Sequence, residues 1–342
     1  MSFFQSMPFH IILLVVGFVF LIKGADFFVD GSSGIAKRLR IPSLIIGMTI
    51  VAMGTSLPEL AVSLTASIAN NNELAVSNVI GSNMFNLLVV IGFCALVKSV
   101  PVKAETKKRD FPINILATVL LLGLGLLGMT LGHVDGVIFL VLFVWFLVSM
   151  VRSALKARVK EKEEEIRKKQ YSDTVSEKPE KQLPETTAEK PEKQLPVWKC
   201  IIFMIIGVIG IILGGDWVVD SASAIAANFG LSQNLIGLTI VAIGTSLPEL
   251  VTSIVAAKKG EVQLALGNAL GSNIFNLLMI LGISATISPI GFNMENVIDL
   301  IILIGCSLLA WAFARSGNMI KKKEGAVMIA LYAADMVYIC LR

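Results

Sequence analysis

Ten runs of apolar residues divide the chain: 8–29, 42–69, 74–97, 111–131, 134–154, 198–219, 233–257, 262–288, 297–314 and 325–341. Most approach or exceed the ~20 residues that a helix needs to cross a ~30 Å hydrocarbon core, and charged or turn residues bound each one. None alternates apolar with polar positions as a barrel strand would. A lipid-exposed backbone must satisfy its own hydrogen bonds, so each run predicts a transmembrane helix. Between the fifth and sixth runs lies one long polar stretch, residues 156–197, with 11 Lys or Arg, 10 Asp or Glu, and the octapeptide EKPEKQLP at 177–184 and again at 189–196. Such a stretch cannot bury a core and reads as a disordered linker, its first dozen residues extending the fifth helix. No basic segment precedes the first run, which therefore reads as a span and not as a cleaved signal.

Composition agrees with this reading. Of 342 residues, 55% are hydrophobic and only 16% charged, where an average soluble chain has about 25% charged, so soluble enzyme folds are excluded. The charges mark sides of the membrane. Lys37, Arg38 and Arg40 follow the first span, Lys98, Lys103, Lys107, Lys108 and Arg109 the third, Lys258 and Lys259 the seventh, and Arg315, Lys321, Lys322 and Lys323 the ninth. The alternate loops, 70–73, 132–135, 228–233 and 288–296, carry neither Lys nor Arg. The positive-inside rule then places the basic loops and the linker in the cytoplasm and both termini outside the cell membrane. The net charge of +4 belongs to these loops and does not point to nucleic acid. Cys94, Cys200, Cys306 and Cys340 sit within apolar runs without paired spacing, which suggests neither a disulfide framework nor a thiolate metal site.

The chain also repeats itself. At an offset of 190, Gly47–Leu60 (GMTIVAMGTSLPEL) matches Gly237–Leu250 (GLTIVAIGTSLPEL) in 12 of 14 positions, and Gly81–Leu88 matches Gly271–Leu278 in 7 of 8. Five spans in each half is an odd number, so the second copy enters the membrane from the opposite side. The predicted fold class is an all-α membrane protein of ten transmembrane helices in two inverted-topology five-helix repeats, residues 1–155 and 198–342 joined by the linker 156–197. That is an architecture of many secondary transporters.

The repeated residues carry chemistry. Glu59 and Glu249 fall within apolar spans, where a bare carboxylate costs several kcal/mol unless it is paired, protonated or bound to a cation. Ala52, Thr55, Ser56 and Glu59 are spaced i, i+3, i+4, i+7, as are Ala242, Thr245, Ser246 and Glu249, so each helix is expected to present two hydroxyls and a carboxylate on one face. Pro58 and Pro248 remove a backbone donor and free the carbonyls of Gly54 and Gly244, glycines that loosen the same turn. On the following helix Asn78, Ser82 and Asn86 are spaced by four, as are Asn268, Ser272 and Asn276. Brought together, these faces make a cage of carboxylate, hydroxyl, amide and carbonyl oxygens, which suits Ca²⁺ or Na⁺ and not zinc or copper. Two glutamates are neutralised by one Ca²⁺, or by two or three Na⁺ with at most one surplus charge. A helix interface of small residues with polar glue is the plain alternative, and two inverted copies that both retain a carboxylate beside a proline argue against it.

GTSLPEL followed by GSNxFN, twice and inverted, resembles the alpha repeats of the sodium/calcium exchanger family within the cation/calcium antiporter superfamily, and most of all its compact prokaryotic members. The resemblance implies a secondary antiporter with Ca²⁺ and Na⁺ as transported substrates, without a cofactor, working as a monomer in the lipid bilayer. It implies that Glu59 and Glu249 are the central calcium ligands. The carbonyls of Ala52 and Ala242 and the hydroxyls of Thr55, Ser56, Thr245, Ser246, Ser82 and Ser272 would complete calcium and flanking sodium sites. It also implies that the helices at 8–29 and 198–219 form a gate sliding past a fixed core. One departure stands out: similar members often carry an acidic residue in one repeat at the end of GSNxFN, whereas this chain has Asn86 and Asn276. Sodium stoichiometry and proton competition are therefore open, and calcium/proton exchange is the alternative activity. A channel fits an inverted repeat with broken helices less well, and no histidine lies at the motif depth to serve an enzyme.

Overall fold

A computed structural model describes residues 7–69, 72–175, 195–230, 240 and 242–341. Among the described residues the fold is all-helical apart from two short ladders of extended chain. Eight described helices are long and apolar enough to cross a membrane: α1 (Met7–Leu39), α4 (Ala75–Val97), α5 (Thr106–Leu126), α6 (His133–Val175, apolar to Val159), α7 (Val197–Asn228), α10 (Val262–Ile287), α11 (Met294–Arg315) and α12 (Lys322–Leu341). A ninth candidate span is broken, α2 (Ser43–Thr55) and α3 (Leu57–Ile68) meeting at 49°. Of the matching span in the other half, the described helices are α8 (Ala242–Gly244) and α9 (Leu247–Lys258), so the expected span at 233–257 lies partly outside the described residues. The same holds for the linker. Residues 176–194 are outside the description, while 156–175 continue α6, so the fifth helix extends further than a dozen residues.

Other boundaries also move. The first helix runs to Leu39 and not to residue 29, and the sixth to Asn228 and not to 219. In the first helix the charges that end the apolar run are satisfied by a loop and do not stop the helix. Lys259 Nζ lies 2.7 Å from Asp30 Oδ1 and 3.3 Å from Asp26 Oδ1. Glu261 accepts from Ser33 Oγ at 2.6 Å and from Ser43 Oγ at 3.0 Å, with Lys37 Nζ at 3.9 Å. Asp26 thus pairs with this loop as well as with Lys23, whose Nζ is 3.7 Å away.

Burial ranks the helices. The apolar windows of α4 and α10 are 83% and 78% buried within the protein, against 11–39% for the other straight spans, so these two form the centre. They carry the GSNxFN motifs. α10 lies against α2 closely enough that a Cβ on Gly267 would strike the Leu44 carbonyl and one on Gly47 the Leu264 carbonyl. Outside this core α1 and α7 pack along each other, with Gly24 against the Gly207–Ile211 backbone and Gly207 against Phe28. Small residues let helix backbones meet at such distances in a membrane.

The ladders join connecting loops in pairs. Val100–Pro101 pairs with Met319–Ile320, and Thr130–Leu131 with Ile290–Gly291, both antiparallel. The first joins two basic loops and includes a Lys107–Asn318 hydrogen bond. The second joins two loops without Lys or Arg.

Candidate cation-binding site

Both copies of the GTSLPEL motif break the helix at Thr-Ser. Ser56 takes φ −86° and ψ 13°, and α3 begins at Leu57 with Pro58 in its first turn. Ser246 takes φ −94° and ψ 4°, and α9 begins at Leu247 with Pro248 at the same place. Proline is tolerated there because first-turn N–H groups have no intrahelical acceptor. Glu59 and Glu249 are therefore each the third residue of a helix, at the end where the backbone dipole favours a negative charge.

That break corrects the expected face. Thr55 and Ser56 do not line up beneath Glu59; the hydroxyls cross to the opposite repeat. Ser56 Oγ donates to Glu249 Oε1 at 2.8 Å, and Ser246 Oγ donates to Glu59 Oε1 at 3.0 Å. All four residues are fully buried. Ser272 Oγ lies 3.4 Å from Glu249 Oε1, and Ser82 sits beside Glu59 without closing a hydrogen bond. Thr55 Oγ1 is within reach of Asn268 Oδ1 at 3.1 Å and of the Val51 and Ala52 carbonyls at 3.2 and 3.3 Å. The Ala52 carbonyl also accepts from the Ser56 N–H at 3.0 Å. Ala242 heads α8 and Thr245 lies in the turn before Ser246.

The expected helix-break glycines serve a second purpose. A Cβ on Gly54 would meet the Phe28 ring of α1, and one on Gly244 the Val219 side chain of α7. Each break thus packs against one helix of the outer pair.

Sequence reasoning passed over two pairs of residues. Asn78 Nδ2 donates to Ser63 Oγ at 3.1 Å and Asn268 Nδ2 to Ser253 Oγ at 3.0 Å. Ser63 and Ser253 stand four positions after Glu59 and Glu249, a signal within the matched repeat. Asn83 and Asn273, the third residues of the two GSNxFN motifs, bond to each other's backbone carbonyls at 3.2 and 3.1 Å. Asn86 and Asn276 lie in π-helical segments, Asn86–Val90 and Phe275–Ile280, which a 3.6-residue period does not reveal.

Among the described residues several buried polar atoms here have no hydrogen-bond partner: Oε2 of Glu59, Oε2 of Glu249, Oδ1 and Nδ2 of Asn86, Oδ1 of Asn276 and Oγ1 of Thr252. Orphaned oxygens of this kind are rare in a packed interior. A hard cation answers the demand, since it takes carboxylate, hydroxyl, amide and carbonyl oxygens together. No group of three His, Cys, Asp or Glu side chains suited to a metal occurs among the described residues. A cation here would rest on two carboxylates and neutral oxygens, which disfavours zinc.

Comparison with known proteins agrees with this chemistry. A family model described as "Sodium/calcium exchanger protein" matches residues 9–152 and 199–341, leaving out the polar stretch between. The putative antiporter CaxA of Alkalimonas amylolytica is 44% identical over 279 residues, 81% of this chain and 81% of that one. The sodium/calcium exchanger MaX1 of Methanosarcina acetivorans is 34% identical over 341 residues, 96% of this chain and 97% of its own length. Among solved structures, the sodium-calcium exchanger NCX_Mj soaked with Na⁺ and Sr²⁺ superposes with a TM-score of 0.79 at 28% identity, covering 97% of this chain and 99% of that one. Broken apolar helices, paired carboxylates and these relatives converge: the chain is a multi-span membrane protein that belongs to the sodium/calcium exchanger family of antiporters.

Proposed function

We propose that the protein is a secondary antiporter of the cell membrane that exchanges Ca²⁺ for Na⁺ by alternating access, electrogenically and as a monomer. The observation that carries this is the crossed pair Ser56–Glu249 and Ser246–Glu59, which joins two buried carboxylates from two copies of one motif in a single site. Glu59 and Glu249 bind the Ca²⁺, with Thr55, Ser56, Thr245, Ser246, Ser82, Ser272, Asn86, Asn276 and the carbonyls of Ala52 and Ala242 completing Ca²⁺ and Na⁺ positions. No cofactor takes part. One Ca²⁺ neutralises the two carboxylates and three Na⁺ do so with one surplus positive charge, and an empty site is unstable, which suppresses uncoupled crossing.

The chain is organised as two inverted five-helix repeats, 1–155 and 198–342, around a cytoplasmic linker at 156–197, ten spans in all. Two features support this. The contacts Ser56–Glu249 and Ser246–Glu59, and the two Asn83–Asn273 bonds, exchange under the 190-residue offset. The loop ladders also pair basic loop with basic loop and bare loop with bare loop, as an inside–outside alternation requires; the basic side is cytoplasmic and the termini are external.

Radioactive calcium uptake into proteoliposomes tests the reading. Uptake that requires internal Na⁺ is expected. If three Na⁺ exchange for one Ca²⁺, one charge crosses per cycle, worth about 2.3 kcal/mol per 100 mV, and a potassium diffusion potential shifts the rate. Uptake driven by internal acid and indifferent to Na⁺ would make the protein a calcium/proton antiporter. The neutral Asn86 and Asn276 are the reason this second activity stays in view.

A further inference from the structure

The offset of 190 carries Asn83 onto Asn273 and Asn86 onto Asn276, so the four side chains are chemically equivalent in pairs. Half of that equivalence is kept. Asn83 Nδ2 donates to the Asn273 carbonyl at 3.2 Å, and Asn273 Nδ2 donates to the Asn83 carbonyl at 3.1 Å. The other half is broken. Asn276 Nδ2 donates to Asn83 Oδ1 at 3.1 Å, while the matching bond from Asn86 to Asn273 is missing: both amide atoms of Asn86 and Oδ1 of Asn273 are buried without a partner. All four residues are at most 1% exposed, so water does not take the place of the missing bond from a bulk-facing surface.

Residue identity does not explain the difference, because both pairs are asparagines within a motif that matches in 7 of 8 positions. Conformation does. Two equivalent half-sites with one bond closed and one open are the expected picture of a protein in one of two states related by exchange of its halves. The tether has a chemical consequence. An amide held by Nδ2 keeps Oδ1 in a set direction, and Asn276 Oδ1 has no protein partner, so it stands as a neutral acceptor for a cation. The Asn86 amide is held by a hydrogen bond at neither atom.

We propose that Asn83 and Asn273 are positioning residues that act in turn. In this state Asn83 holds Asn276 as an oriented oxygen ligand and Asn86 is released; in the opposite-facing state Asn273 holds Asn86 and Asn276 is released. This rests on the alternating-access reading above and adds a device that exchanges one tether for its mate at each reorientation.

Paired substitutions separate the device from a purely structural role. Asn83→Ala and Asn273→Ala each delete one bond to the opposite backbone carbonyl, and Asn83→Ala deletes the Asn276 contact as well, so a structural role alone raises exchange throughout α4 and α10 and more so in Asn83→Ala, whereas the device confines the added rise to α1. Only Asn83→Ala also deletes the tether of the present state. Facing is read from amide hydrogen exchange of the full chain over residues 26–39, the part of α1 that Lys259 and Glu261 hold in this state. Exchange there is expected to rise several-fold in Asn83→Ala and to remain at or below the unsubstituted level in Asn273→Ala. An equal rise in both variants, no rise in Asn83→Ala, or a rise in Asn83→Ala that spreads over α4 and α10 overturns the proposal. If an alanine variant does not fold, Asn83→Ser and Asn273→Ser are compared in the same way. Calcium uptake by the unsubstituted protein in Na⁺-loaded proteoliposomes is measured alongside: its absence removes the exchanger function, whereas equal exchange profiles with uptake intact remove only the tether.

Discussion

A carboxylate fully enclosed in an apolar span needs a donor or a cation for each oxygen, and Glu59 and Glu249 each have a hydroxyl at Oε1 and no partner at Oε2. Glu59→Gln and Glu249→Gln keep the shape and remove the charge, so each is expected to abolish Ca²⁺ uptake while purified protein retains its helical signal and a cooperative thermal transition. Uptake surviving in both would leave the site without its central ligands. Ser56→Ala acts less severely. It removes one charge-assisted contact of about 1.5–3 kcal/mol, and the Ca²⁺ concentration for half-maximal uptake should rise roughly tenfold to hundredfold. The residue types of the site were legible because two copies of one motif retain them; their partners were not. Helical spacing aligned Ser56 with Glu59, yet the turn at Ser56 hands its hydroxyl to Glu249, a residue 193 positions away. Periodicity describes an unbroken helix, and here the chemistry sits where the helix stops.

Elements show the same division. Each described span falls on one of the apolar runs, but the runs ended α1 ten residues early because Asp30, Lys37 and Arg38 look like a boundary. The loop at Lys259 and Glu261 supplies partners for Asp26, Asp30, Ser33 and Lys37, and a helix whose charges are met continues. This loop is a clasp on the C-terminal half of α1. Its ion pairs are partly exposed, worth about 0–1 kcal/mol each and weakened by salt. Lys259→Ala is expected to speed amide exchange over residues 26–39 by up to roughly fivefold, and high ionic strength should mimic the change in the unsubstituted protein; exchange insensitive to both would show that α1 is held by its packing alone. That packing depends on Gly24 and Gly207, where any Cβ meets backbone of the partner helix. Gly207→Val should force α1 and α7 apart, with a cost of about 1–3 kcal/mol or more, read as a lower midpoint of thermal unfolding and loss of uptake.

At the scale of the whole molecule the sidedness prediction can be tested with a single residue. Cys340 is exposed near the end of α12, whereas Cys94 and Cys200 are buried. A membrane-impermeant maleimide added to intact cells should label Cys340 if the C-terminus is external, and labelling only after permeabilisation would invert the orientation. Charge placement along the chain is enough to make that prediction, because loops are short and translocation reads local Lys and Arg. The apolar spans, the repeated motif and the family resemblance were likewise legible in the sequence alone, since each depends on residue types at fixed separations along one chain: about 20 apolar positions for a bilayer and one offset of 190 for a duplication. Only the tertiary structure decided which hydroxyl meets which carboxylate, that Asn83 holds Asn276 while Asn86 stands loose, and that a loop clasps α1. These are contacts between residues about 190 to 235 positions apart, set by how distant segments of the chain pack together, and no local period in the chain encodes that packing.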